Sequence, residues 1–180
     1  MNTQYIMRLL KDEMNGLNLA NIYHIVDLIG FCFNKQTKNV QDAAEFEYIL
    51  TTQCFVRAVY HDELLLCSSD IYLQDSYHST ELHDNNDRSY FDKKVLEFLY
   101  RFPSSTLCGF EISPYTSDLE LKFSNGLIIQ INQDTTESDV EMWRVMKKNR
   151  LPDIIRTTSG WELTEGYPLS SWSCNRTIHH

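Results

Sequence analysis

Residues 47 to 73 read EYILTTQCFVRAVYHDELLLCSSDIYL, and how this stretch divides decides the fold. Side chains of an extended chain alternate between faces, so Tyr48, Leu50, Cys54, Val56, Ala58 and Tyr60 share one face of a single long strand over 46 to 60. His61-Asp62 supplies the turn. Glu63 to Ser68 returns as an apolar run suited to an interior strand, and Asp70-Ile71-Tyr72 follows. The stretch also holds Cys54, Cys67, His61 and several acids, so a cysteine nucleophile has to be weighed against a packed sheet. A catalytic thiol needs a positioned base; the hairpin carries His61 to its tip and leaves Cys54 well inside the strand. Cys67 precedes two serines without a nucleophile-bearing turn. Free cysteine packs as a small hydrophobe, and both thiols are read as core groups.

The flanks supply the other elements. TQYIMRLLKDEM, residues 3 to 14, sets Tyr5, Ile6, Leu9 and Leu10 on one helical face, with Asn15-Gly16 as the stop. NIYHIVDLIGFCFN, from Asn21, divides into two strands around a turn or bulge near Asp27 or Gly30. KQTKNVQDAAE, residues 35 to 45, reads as a polar loop. FDKKVLEFLYRF, residues 91 to 102, suits a helix packed on a sheet through Phe91, Val95, Leu96, Phe98, Leu99 and Phe102, ending before Pro103. CGFEISPY, DLELKFSNGLIIQIN and VEMWRVMKK return to a strand pattern, and Asn125-Gly126 marks a hairpin.

These elements make an α+β fold, a mainly antiparallel sheet with an N-terminal helix and a central helix packed on it. A single domain spans 1–180. Asp27-Leu28 and Asp118-Leu119 each open a strand after an apolar stretch, which suggests two related half-units over 17–73 and 104–150. Residues 74–90, QDSYHSTELHDNNDRSY, read as an exposed acidic loop, and 151–180 as an irregular C-terminal cover containing Trp161 and Trp172.

Composition narrows the function. The chain has 180 residues and a formal net charge of −9, which opposes direct binding to the nucleic-acid backbone and favours a basic partner. Its apolar runs are too short and too interrupted for a membrane span, and the N-terminus lacks a signal-peptide core, so a cytoplasmic protein is expected. The odd count of five cysteines without a CxxC pair fits reduced thiols. His78, His83, Asp84 and Asp87 match no standard metal loop, and His179-His180 is given no metal role. No metal or other cofactor is expected.

EYILTTQCFVRAV with Gln53, Cys54 and Arg57, SSDIYL with Asp70 and Tyr72, DLELKFSNG, and EMWRVM with Glu141, Trp143 and Arg144 occur in an order that resembles a family of small bacterial immunity-type proteins. The resemblance implies a cytoplasmic protein that binds and neutralises a cognate toxin domain in polymorphic toxin or contact-dependent growth inhibition systems. It carries over no catalytic residue. Arg57 is read as pairing with a carboxylate at a sheet edge and Trp143 as a core anchor.

A toxin that is a nuclease has a positive cleft, which an acidic inhibitor can cover. The candidate partner-binding residues are therefore Asp75, Glu81, Asp84 and Asp87 in the polar loop, joined by Asp134, Glu137, Asp139 and Glu141. Two alternatives stand beside this reading. One is a cysteine-dependent hydrolase using Cys54 or Cys67 with His24, His61, His78 or His83; the other is a ligand-binding or scaffold domain without a toxin partner.

Overall fold

The computed structural model describes residues 3–35, 46–73, 89–148 and 150–164. In chain order the elements are α1 (Thr3–Met14), β1 (Asn18–Ile25), β2 (Leu28–Asn34), β3 (Tyr48–Thr52), β4 (Phe55–Tyr60), β5 (Glu63–Cys67), a 3-10 turn (Ser68–Tyr72), α2 (Tyr90–Arg101), β6 (Ser105–Ile112), β7 (Leu119–Phe123), β8 (Leu127–Asn132), β9 (Glu141–Lys147), β10 (Arg150–Thr157) and β11 (Trp161–Thr164). The fold is α+β, with the strands joined in one antiparallel order, β11-β10-β9-β3-β2-β1-β6-β7-β8-β4-β5.

Local chemistry accounts for the helices. Ile6, Leu10 and Met14 recur every fourth residue and are buried, whereas Tyr5, on the face expected from sequence, is 63% exposed. Ser89 caps α2: its Oγ accepts from the Asp92 N–H, and the Asp92 carboxylate accepts from the Ser89 N–H. Phe91, Val95 and Phe98 then face the core, and the helix stops just before Pro103. In the β7–β8 hairpin Gly126 takes φ +88°, a conformation glycine adopts without steric cost.

The strand order contains a helix followed by a three-strand meander twice, as α1-β1-β2-β3 and α2-β6-β7-β8. The meanders meet where Asn18 and Leu19 of β1 pair with Thr106 and Ser105 of β6. Each helix packs on the first strand of the other meander, α1 on β6 and α2 on β1. The strands that follow each meander also cross: β4 and β5 extend the sheet beyond β8, and β9 to β11 extend it beyond β3. The ranges 17–73 and 104–150 each hold one meander, with β3 pairing to β9 and β4 to β8 between them.

The deciding stretch differs from its sequence reading. Residues 46–60 do not run as one strand; they break at Gln53-Cys54 into β3 and β4. β3 and β4 lie six strand-to-strand steps apart in the order, which at about 4.8 Å per step would be about 29 Å across a flat sheet. The Gln53-Cys54 link reaches only about 10 Å. The sheet therefore folds back on itself, joined at the β1–β6 pairing and closed where β3 passes into β4. A single buried cluster fills the space between, drawing Phe31, Leu50 and Trp143 from one side and Val56, Phe110 and Ile129 from the other.

A second correction concerns the C-terminal part. Residues 150–157 and 161–164, read as irregular cover, are β10 and β11, paired in register from Asp153↔Thr164 to Arg156↔Trp161. Residues 165–180, with Trp172 and Cys174, lie outside the described residues.

Candidate partner-binding end

Folding the sheet over gives the molecule two unlike ends. The junction end contains the β1–β6 pairing; the crossover end gathers the β1–β2 turn, the β3–β4 link, the β6–β7 turn (113–118), the β8–β9 link (133–140) and the β10–β11 turn.

The crossover end is tied together by short polar side chains that satisfy backbone groups the ladders cannot reach. Thr52 Oγ1 donates to the Met142 carbonyl at 2.6 Å and accepts from the Cys54 N–H at 3.0 Å. Gln53 Nε2 donates to Asp27 Oδ1 at 3.2 Å, joining the β3–β4 link to the β1–β2 turn. Asp118 accepts from the Gln133 N–H at 2.7 Å and from Thr116 Oγ1 at 2.6 Å. The Asp139 N–H donates to Ser159 Oγ at 3.1 Å, and the Val140 N–H to Thr158 Oγ1 at 3.2 Å.

Beneath this belt Trp143 is fully buried. Its Nε1 donates to the Ser117 carbonyl at 3.4 Å, and its ring meets Phe110 and Trp161 edge to face. Arg156 donates to Ser117 Oγ at 2.9 Å while lying over the Trp161 ring. Trp143 anchors the core as expected; Arg57 is exposed and lies over the Phe55 ring, with no carboxylate partner among the described residues.

The candidate acids divide into three groups. Asp134, Glu137 and Asp139 are exposed on the β8–β9 link. Glu141 is not available in the same way, because Arg144 grips its carboxylate with Nε at 3.1 Å and Nη2 at 2.6 Å, while Arg144 Nη1 stands 3.7 Å from the buried Asp153. Asp75, Glu81, Asp84 and Asp87 lie outside the described residues, as do His78 and His83.

Two acids not among the candidates belong to the same belt, Asp27 and Asp118. The signal was in the sequence: Asp27-Leu28 and Asp118-Leu119 open corresponding strands of the two meanders, at turns that converge once the sheet folds over. Among the described residues, none of Asp27, Asp118, Asp134, Glu137 and Asp139 forms an ion pair.

Cys54 and Cys67, the two candidate nucleophiles, sit in packing rather than reactive surroundings. Cys54 is buried and donates its S–H to the Met142 carbonyl at 3.3 Å. Burial, assisted by the charges of Asp134 and Asp118, pushes its thiol up to about 11, so the thiolate needed for attack is scarce at neutral pH. His61 is at the other end of β4 and packs against Tyr60. Cys67 is half-buried beside Asp70, whose carboxylate accepts the Cys67 N–H. Cys108 is exposed.

Among the described residues no three His, Cys, Asp or Glu side chains are grouped to hold a metal, and no helix is long and apolar enough to cross a membrane. A shallow groove of about 430 Å³ runs between α1 and the start of the β6–β7 turn, lined by Met7, Ile112 and Pro114 with Arg8, Lys11 and Asp12 at its margin. Its charges are mixed and it converges on no polar group. Comparison of the chain with protein-family models, curated proteins and solved structures finds no match.

Proposed function

We propose that this chain is an immunity-type protein of the cytoplasm that binds and neutralises a cognate toxin domain through the crossover end. The observation that carries the reading is the set of carboxylates on that end, Asp27, Asp118, Asp134, Glu137 and Asp139, which have no cationic partner among the described residues. A protein that leaves a belt of like charge uncompensated accepts self-repulsion. A basic partner removes that repulsion and is drawn in faster by the same field. Nuclease domains, whose clefts must hold polyanions, present such a surface. The two helix-and-meander units are taken as related halves, which would make Asp27 and Asp118 counterparts.

The test uses the purified polypeptide encoded by the gene adjacent to this one. Asp134→Lys, Glu137→Lys and Asp139→Lys, combined in one chain, are expected to slow association by about 10- to 100-fold at low ionic strength, with the gap narrowing as salt screens the field. Association unchanged by the triple reversal would reject this face. Failure of the unaltered chain to bind its neighbour, or to protect cells from it, would reject the immunity role.

A further inference from the structure

The crossover end holds more than charge. Four non-glycine residues of the described chain have positive φ, and three of them, Val26 (58°), Ser117 (63°) and Asp139 (61°), are in its turns. The left-handed region is costly for a β-branched residue such as valine, and such strain persists only where surrounding structure enforces it. At Val26 the enforcement is visible. His24 Nδ1 lies 3.0 Å from the Val26 carbonyl, which can only accept, so Nδ1 carries the proton; the other ring nitrogen faces Ser89 Oγ at 3.3 Å and Asp92 at 3.5 Å at the start of α2. The turn is thus braced against a helix while its tip stays outside, with Val26 76% and Ile25 52% exposed.

The β6–β7 turn has the same design. Ser113 Oγ accepts from the Tyr115 and Thr116 N–H groups, and the Ser113 carbonyl accepts from the Ser117 N–H at 3.1 Å. Tyr115, on this hydrogen-bonded turn, is 95% exposed. Among the described residues Val26 and Tyr115 are mostly uncovered and Ile25 is half covered, so packing does not account for the two tips. Exposed apolar groups on a backbone held by hydrogen bonds suit an interface core, since little backbone freedom is lost when they are covered.

We propose that Ile25, Val26 and Tyr115 are the apolar anchors of the interface, entering apolar recesses flanked by lysine or arginine on a basic protein. This rests on the reading of the crossover end as a toxin-binding face and names the groups that hold the complex once charge has brought it together. Charge decides the occupant. Asp27 adjoins Val26 and Asp118 closes the turn that presents Tyr115, with Gln53 and Cys54 linking the two along the belt. An acidic protein, a nucleic acid or a second copy of this chain would set negative charge against negative charge there.

The experiment compares Val26→Asn, Ile25→Ser with Val26→Asn, and Tyr115→Ser with the triple charge reversal, using the purified product of the adjacent gene as probe. Asparagine tolerates positive φ and all three positions are exposed, so thermal melting is expected to match that of the unaltered chain or, where Val26 is replaced and its strain relieved, to exceed it. The tip variants are expected to speed dissociation by about tenfold or more, as truncation of a central anchor does, and to leave association and its salt dependence nearly unchanged. The charge reversal is expected to do the opposite. If the tip variants dissociate like the unaltered chain while the charge-reversed chain associates slowly, the anchors are overturned and the proposed function stands. If the unaltered chain does not bind at all, both fall. A dimer of the chain alone in sedimentation, lost in the tip variants, would overturn the proposal by naming a second copy as the occupant.

Discussion

At the junction end, the Tyr48 hydroxyl and the Lys147 ammonium both donate to the Glu13 carboxylate, Lys35 lies 3.0 Å from Glu47, and Arg101 lies 2.8 Å from Glu63. At the crossover end Asp27, Asp118, Asp134, Glu137 and Asp139 form no ion pair among the described residues. The junction end is joined by the β1–β6 pairing and the crossover end by the β3–β4 link, and both cap one apolar core. What holds the crossover end shut is aromatic: Trp143 against Phe110 and Trp161, with the Ser117 carbonyl taking its N–H. Charge at the junction end is paired within the fold; at the crossover end Arg144 pairs with Glu141, and the other five carboxylates stay without an ion-pair partner among the described residues.

That comparison breaks most visibly at Trp143. Trp143→Ala should cost about 3–5 kcal/mol, the usual range for emptying a large aromatic site in a core, read as a lower urea midpoint. A loss under about 1 kcal/mol would mean that the crossover seam is held by something else.

Glu13→Gln should come next, at about 1–3 kcal/mol, because it takes the charged acceptor from both Lys147 and Tyr48. The effect should shrink in high salt.

Asp153 sharpens the contrast by pH. Its carboxyl is raised above the ordinary aspartate range, chiefly by burial, with Arg144 pulling the other way and Glu141 adding to the rise. A raised acid binds its proton more readily folded than unfolded, so its stabilising contribution is greatest at low pH and is lost as pH climbs from about 4 through the raised value. The stability of the unaltered chain minus that of Asp153→Asn should therefore fall as pH rises across this window and then level off. A difference that grows with pH would make Asp153 a stabilising ion-pair partner of Arg144 instead.

The smallest effect is expected where the acidic belt is neutralised. Asp134→Asn, Glu137→Gln and Asp139→Asn should each change stability by no more than about 0.5 kcal/mol, since these exposed side chains leave no ion-pair partner behind. A loss near that of Glu13→Gln would erase the distinction between the ends.

The elements legible in the sequence were those whose signals are local. The apolar spacing of Phe91, Val95 and Phe98, and Asn125-Gly126, each act within a few residues, and α2 and the β7–β8 hairpin stand where they indicate. The break at Gln53-Cys54 was hidden for a physical reason. Leu50, Thr52, Cys54 and Val56 are all buried, because β3 and β4 line the same core from opposite sides of the folded sheet. Alternation reports which side chains face the core and not which neighbour the strand pairs with, so it passes through the break unchanged.

β10 and β11 escaped notice because β structure depends on its partner. Pro152 in β10 and the Ser159-Gly160 turn read as loop until β9 is present to pair with. The candidate site was legible in part. Asp134, Glu137 and Asp139 needed only polarity and loop position, whereas the pairing of Glu141 depends on a register shift. Trp143 lies opposite Arg156 and Glu141 opposite Thr157, so Met142 is the extra residue of a bulge that brings Glu141 to Arg144. Such bulges follow from the partner strand and leave no periodic trace.

Backbone hydrogen exchange of the chain, alone and in complex with the purified product of the adjacent gene, tests the central claim most directly. Protection should appear across 24–27, 113–118 and 133–140 and leave the junction-end turns at 61–62 and 124–126 unchanged. Protection confined to those junction-end turns, with the crossover end exchanging as freely as before, would contradict the account.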